Sequence, residues 1–449
     1  MSMKTYHDSV LYRNFKKEYP VIDTADGVYL YDVKGKKYLD ACGGALVVNI
    51  GHGVPEVIDA MVKQAERVSF AYTAIFNSEA QIQLAGRIAS LCPMESARVF
   101  FVSGGSEATE TAIKIARQYH VESGNSSKYK VISRWQSYHG ATIGALSMTG
   151  RPHDRDIFTP YLLDFPHISP PYCYRCPFGK EYPHCDIDCA KELERVIKQE
   201  GSNYISAFIA EPIIGLTASG VTPAPEYYGI IRSICDRYNV LMIMDEVVTG
   251  FGRTGKNFGI DHWNVVPDII ATGKGISSGY VPLGGVIVGE KVVDVIARGS
   301  GVLKTSFTYS GNPLSCAIGL AVLDYIEKHD LIQKSAEQGS YLFEKCSKLN
   351  KFGTVGRISG RGLMLGIEFV ENKETKKPFD RETHFSEAIV QRAFENGVVV
   401  RPGIPGNVDG LLGDHILITP PFVIEEEHIE QIVDTLEDVI RETEKNLGC

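Results

Sequence analysis

The chain has 449 residues, with 46 Lys+Arg against 55 Asp+Glu and a formal net charge of −9. That balance argues against a nucleic-acid binder, which neutralises phosphates with a basic face. Its 44% hydrophobic content is that of a globular chain, and no apolar run approaches the roughly 18 residues of a membrane span.

In chain order, residues 1–20 hold no apolar stretch of the kind that opens a secretory signal. Residues 21–42 alternate polar and apolar around Asp26-Gly27 and Lys34-Gly35, which predicts short antiparallel hairpins. Arg98–Val102 is a β-run, and the stripe Ala108, Ala112, Ile115, Ala116, Tyr119 predicts a helix over 106–120. Strands are expected at 130–133, 207–209, 241–244, 268–271 and 285–288, with helices at 190–200 and 226–238 between them. Apolar strands alternating with helices predict an α/β fold with a mostly parallel sheet covered by helices. A long helix follows through 317–328. Residues 336–449 then read as a smaller α+β unit, with strands at 363–369, 397–400 and 415–418. The expected division is an N-terminal arm (1–59) that joins the small domain, a large domain (60–330) and a C-terminal small domain (331–449). Ten cysteines are too few for a disulfide scaffold, so a reducing cytoplasm is the expected location.

Four features carry chemistry. Leu241–Asp245 ends a buried strand in an acid, at the strand end where α/β sheets bind ligands. A second apolar strand, from Asp268, runs into Gly273-Lys274-Gly275. A lysine desolvated there would have a lowered pKa and form Schiff bases. Ser103-Gly104-Gly105-Ser106 joins a strand to a helix start, a place where backbone N–H groups hold phosphate. Ser137-Tyr138-His139-Gly140 offers an aromatic face for stacking on a flat ring. Each alone has a plain structural explanation: a strand-ending cap, a solvated lysine, a helix N-cap, a core tyrosine. Together they are the handles of pyridoxal phosphate.

The run Asp245-Glu246-Val247-Val248-Thr249-Gly250-Phe251-Gly252-Arg253-Thr254-Gly255-Lys256, Lys274 within Ala-Thr-Gly-Lys-Gly, and Thr308-Tyr309-Ser310-Gly311-Asn312-Pro313 resemble the class III aminotransferases of fold type I. The resemblance extends in order from about residue 26 to 422. It implies pyridoxal phosphate as cofactor, Lys274 as its Schiff-base lysine and proton carrier, and Asp245 as partner of the ring nitrogen. Both are then the catalytic residues. It places Val247 and Tyr138 on opposite faces of the ring and Gly105 and Ser106 at the phosphate. Glu211 falls beside the ring and His139 in the aromatic motif. Thr308 is implied to reach the phosphate of a neighbouring subunit. That means a homodimer with shared sites, alone or paired into a tetramer, without nucleic-acid or membrane partners.

The departures bear on substrate. Many relatives that handle ornithine, acetylornithine or 4-aminobutyrate carry an arginine where this chain has Ala141, and others carry one where it has Leu417 or Ser359. The stretch Val400-Arg401-Pro402 … Gly413-Asp414-His415-Ile416 resembles the ω-transaminase pattern, with a loop inserted after the Arg. There the Arg swings in for carboxylates. Arg401 is therefore the expected substrate carboxylate ligand, moved by the glycine-rich stretch 402–406, with Arg151 and Arg361 next in order. Ala45, Leu46, Tyr72, Phe76 and Tyr138 are the expected pocket lining. The implied reaction is ping-pong transfer from an ω-amino acid or primary amine donor to the keto acid pyruvate or 2-oxoglutarate. The rival within the family is an amino acid racemase or epimerase. Cys173, Cys176, Cys185 and Cys189 have a spacing open to Zn²⁺. The matching family loop is metal-free, so free thiols and no metal are expected.

Overall fold

A computed structural model describes residues 9–447 of the chain. Residues 1–8, part of the segment read above for a signal, and 448–449 lie outside the described residues. Three strands come first: β1 (Ile22–Asp26), β2 (Tyr29–Asp32) and β3 (Lys37–Asp40). Seven follow: β4 (Arg98–Val102), β5 (Lys130–Arg134), β6 (His167–Ile168), β7 (Ile205–Ala210), β8 (Leu241–Asp245), β9 (Ile269–Thr272) and β10 (Gly284–Val288). The last five are β11 (Val355–Arg361), β12 (Met364–Phe369), β13 (Val398–Val399), β14 (Arg401–Pro402) and β15 (Asp414–Ile418).

β4 to β10 form one sheet in the order β4-β10-β9-β8-β7-β5-β6. β6, β5, β7, β8 and β9 run parallel, and β10 lies antiparallel to both β4 and β9. β7 and β8 are fully buried along their lengths. A strand covered on both faces has no polar side to present, hence the unbroken apolar run Leu241–Met244. The helix Gly105–Glu122 covers one face. Ala108, Ala112, Ile115 and Ala116 are buried with Val131, Ala207, Ile243 and Ala271 of the strands beneath it.

β1, β2 and β3 form antiparallel hairpins, and β13 pairs parallel with β3 through Val398–Leu39 and Val399–Asp40. The N-terminal hairpins thereby share a sheet with a strand some 360 residues later in sequence. β11, β12, β15 and β14 make a third, antiparallel sheet. Among the described residues, no helix is long and apolar enough to cross a membrane.

Arg253 ties these parts together. Its guanidinium is fully buried without an ion-pair partner among the described residues. It donates to the carbonyls of Leu363 (2.9 Å) and Pro420 (2.7 Å) and to Oδ1 of Asn49 (2.7 Å). Phe422 lies under it at 4.7 Å. Burial, against the weaker pull of Asp40, pushes its pKa down to about 9.

Candidate active site

The carboxyl ends of β4, β5, β7, β8 and β9 open on one side of the large sheet. There they surround a cavity of about 570 Å³ lined by Gly105, Ser106, Tyr138, His139, Glu211, Asp245, Val247 and Lys274, among others. A larger cavity, near Glu110 and Lys304, holds none of these groups. The chemistry lies in the smaller one.

Asp245 ends β8 and is 4% exposed. Its Oδ2 lies 2.7 Å from Nδ1 of His139, and its Oδ1 accepts the N–H of Val247 at 3.1 Å. His139 is itself anchored: its N–H donates to Oγ1 of Thr149 (3.0 Å), and its carbonyl accepts the hydroxyl of Thr109 (2.6 Å). An aspartate held at both oxygens in a buried pocket is a fixed negative charge, suited to a cationic ring nitrogen.

Lys274 follows β9 and starts a 3₁₀ turn, Lys274–Ile276. Its φ is +46°, a left-handed conformation that a lysine adopts at a cost of about 1–2 kcal/mol. The turn is held from outside. Oγ of Ser278 accepts the N–H groups of Asn49 (2.8 Å) and Ile50 (3.0 Å) from the N-terminal arm. Burial pushes the amine down to about 8, against the pull of Asp245. Glu211, directly after β7, is buried and pushed up to about 7, chiefly by desolvation and in spite of His139. Its Oε2 accepts the N–H of Tyr138 at 3.3 Å.

The helix Gly105–Glu122 begins at this cavity with no side chain capping its first N–H groups. A helix start left open toward a cavity is an anion cradle. Gly105 is there for space: a Cβ on it would sit 2.7 Å from Cγ1 of Val247. The donor set fits pyridoxal phosphate. It offers an amine, an anchored carboxylate, an open helix N-terminus, and the side chains of Val247 and Tyr138.

The other expected residues fall on both sides of this outcome. Ala45, Leu46 and Arg401 line the cavity, and so does Arg151. Arg361 and Ser359 do not. Ser359 instead donates to the carbonyl of Ser219 at 2.7 Å. Tyr72 and Phe76 lie outside the cavity of their own chain, 54% and 63% exposed. Their segment packs beside Tyr309: Phe70 meets the Tyr309 ring at 6.1 Å, and Asn312 donates to the Ser69 carbonyl. Thr308, in that same exposed patch, is also away from the cavity of its own chain. Arg401 is not on a loose segment. β14 pairs with β15, with Arg401 opposite Leu417, so the ladder fixes its backbone and only the side chain is free to swing. Opposed residues share a face, so Arg401 sits beside Leu417. Cys173, Cys176, Cys185 and Cys189 are unpaired thiols. No metal-holding group of three or more His, Cys, Asp or Glu occurs among the described residues.

Sequence reasoning missed two arginines here. Arg134, at the end of β5, is fully buried and donates to the Glu211 carbonyl (2.5 Å) and to the Tyr228 hydroxyl (3.3 Å). Arg13, from the N-terminal arm, reaches the cavity mouth. No local pattern in sequence marks either.

A helix-covered sheet with a lysine, an aspartate and an open helix start at its strand ends defines a pyridoxal-phosphate enzyme of fold type I. The sequence profile described as Aminotransferase class-III matches residues 12–440. This chain belongs to that family, which is pyridoxal-phosphate dependent. It is 42% identical over 430 residues to the uncharacterized aminotransferase YodT of Bacillus subtilis, covering 96% of each chain. It is also similar to the solved (S)-enantioselective ω-transaminase from Thermomicrobium roseum, with 37% identity, a TM-score of 0.91, and 97% and 96% of the two chains covered. An amine transaminase from an uncultivated Pseudomonas species, solved in its PLP-bound form, is 33% identical with a TM-score of 0.90, over 98% and 99% of the chains.

Proposed function

We propose that this aminotransferase moves an amino group from an ω-amino acid or primary amine to pyruvate or 2-oxoglutarate, in two half-reactions at one site. One observation carries this reading. The cavity has a reactive amine on its floor and, in a largely apolar wall, an Arg401 without an ion-pair partner among the described residues. Leu46, Leu146, Ile213, Leu216 and Ile404 supply the apolar wall, which suits the carbon chain of an amine.

Pyridoxal phosphate, when bound, supplies an electron sink for the carbon that loses its proton. Asp245 would hold the ring nitrogen in its charged form, and His139 would hold Asp245. Gly105 and Ser106 would take the phosphate at the helix start. Lys274, with its amine lowered to about 8, is suited to take up and return a proton near neutral pH. Glu211 would support hydrogen bonding beside the ring. Arg401 would clamp the carboxylate of the keto acid and rotate aside for an uncharged amine. Thr308, Tyr72 and Phe76 would complete the site of a neighbouring subunit, which makes the working unit a homodimer.

The test is a donor screen with each keto acid, joined to Arg401→Ala. We expect keto acid consumption that needs an amine donor, and for Arg401→Ala a KM for keto acid raised by about one to two orders of magnitude, the worth of a charge-assisted pair. The half-reaction with an uncharged amine should change little. Exchange of the α-proton in D₂O with racemisation, and no requirement for keto acid, would overturn the transaminase reading in favour of a racemase.

A further inference from the structure

The outer half of the cavity holds more positive charge than one substrate carboxylate needs. Arg13, Arg151 and Arg401 line it, against the single carboxylate of Asp154. Glu211, Asp245 and Lys274 face one another on the floor and are committed there. The surplus above the floor is therefore two positive charges.

Arg151 is the member whose donors are left most open. Its side chain is 5% exposed and ion-paired to Asp154 through one terminal nitrogen. Its Nε and its other terminal nitrogen are buried without any hydrogen-bond partner. A guanidinium has five N–H donors, and leaving buried ones unmade is costly. Tyr138 lies against it at 5.8 Å and keeps it beside the reacting floor. Arg401 has its own unpartnered Nε. The charges of Arg13 and Arg151 both act on it, which places the three groups within electrostatic reach. Two cations with open donors in one cavity that also carries apolar side chains match a short molecule that is acidic at both ends.

We infer that Arg151 is a second anion-binding position of this site and that the keto acid it takes is a dicarboxylate, its far carboxylate on Arg151 and its near one on Arg401. The inference rests on the transaminase reading above and narrows it to acceptors of the 2-oxoglutarate type over pyruvate. Asp154 is then a stand-in: it holds Arg151 in place while the site is empty and competes with the incoming carboxylate.

The experiment measures binding to holoenzyme of two inert five-carbon probes, glutarate and valerate, by calorimetry, beside steady-state rates with 2-oxoglutarate and pyruvate. We expect glutarate to bind at least about tenfold tighter than valerate, the worth of one added charge-assisted pair. Arg151→Gln should cut that ratio below about threefold and leave valerate binding unchanged, while Asp154→Asn should raise the ratio. If Arg151→Gln does not fold, Arg151→Lys should keep part of the preference, and the wild-type ratio still decides. A wild-type enzyme that does not distinguish the two probes overturns the inference. So does an Arg151→Gln enzyme that loses both equally. Turnover with pyruvate preferred would sink this inference alone, whereas no turnover with either keto acid would sink the transaminase reading beneath it.

Discussion

At the scale of single residues, burial sets the chemistry of Lys274. Its amine titrates at about 8 in the folded chain, against 10.5 in the open. Between those values the unfolded chain holds a proton that the folded chain has released, so this residue's contribution to stability rises with pH across the window of about 8 to 10.5. Below 8 both states are charged and the full burial cost stands. Cofactor-free Lys274→Met should therefore melt higher than the wild type at pH 7, with the gap closing toward pH 10.5. A gap that does not move with pH would mean that the amine is not desolvated. Asp245 permits a second test. Held by His139 and the Val247 N–H, it should keep its place as Asn and lose its charge. Asp245→Asn should fold and lose at least about a hundredfold in turnover, and a loss within tenfold, about 1.4 kcal/mol, would assign it another role. Both residues were legible in the sequence because they end apolar strands. Arg134 and Arg13 were not legible as site groups, because only segments far away in the chain bring them to the cavity.

At the scale of elements, the site is made where strand ends meet one helix start, and Gly105 is the joint. Ala is the better helix former by about 1 kcal/mol, so Gly105→Ala would stabilise an isolated helix. Here its Cβ would meet Val247 at 2.7 Å. We expect Gly105→Ala to lower cofactor affinity at least about tenfold. Gly105→Ala with Val247→Ala should recover part of that loss, a coupling of about 1 kcal/mol or more in the double-mutant cycle. Strict additivity in cofactor titrations would show that the two side chains do not meet. The elements that sequence reasoning found were those with one clean period: the helix over 105–122 and the apolar runs of β7, β8 and β9. β11 escaped it, because Val355-Gly-Arg-Ile-Ser-Gly-Arg is a half-buried edge strand broken by two glycines and two arginines. The reversal of β10 also escaped, since an apolar run carries no direction. Arg401 shows the same limit. Its glycine-rich neighbours suggested a mobile loop, and pairing with Leu417 across sixteen residues fixed it in a ladder.

At the scale of the whole molecule, one exposed surface gathers large apolar side chains. Phe70, Tyr72, Ile75, Phe76 and Tyr309 are between 43% and 69% exposed. Contacts between Phe70 and Tyr309 and between Asn312 and Ser69 bring the two segments together. Exposed apolar side chains gathered in one place mark an association surface. Thr308 lies within it, one residue before Tyr309. If this surface meets a second copy, oligomer state and cofactor retention become one equilibrium, because a group that binds only the assembled form stabilises it by mass action. Phe76→Asp with Tyr309→Asp would bury two charges at such an interface and should give a monomer in sedimentation. That monomer should have a native circular dichroism spectrum and weaker cofactor binding. Thr308→Ala should leave the dimer intact at high protein concentration but release cofactor faster, and added cofactor should shift its dimerisation less than it shifts the wild type. A doubly charged variant that stays dimeric would place the interface elsewhere. A monomer that retains cofactor as tightly as the wild type would show that each chain holds its phosphate alone.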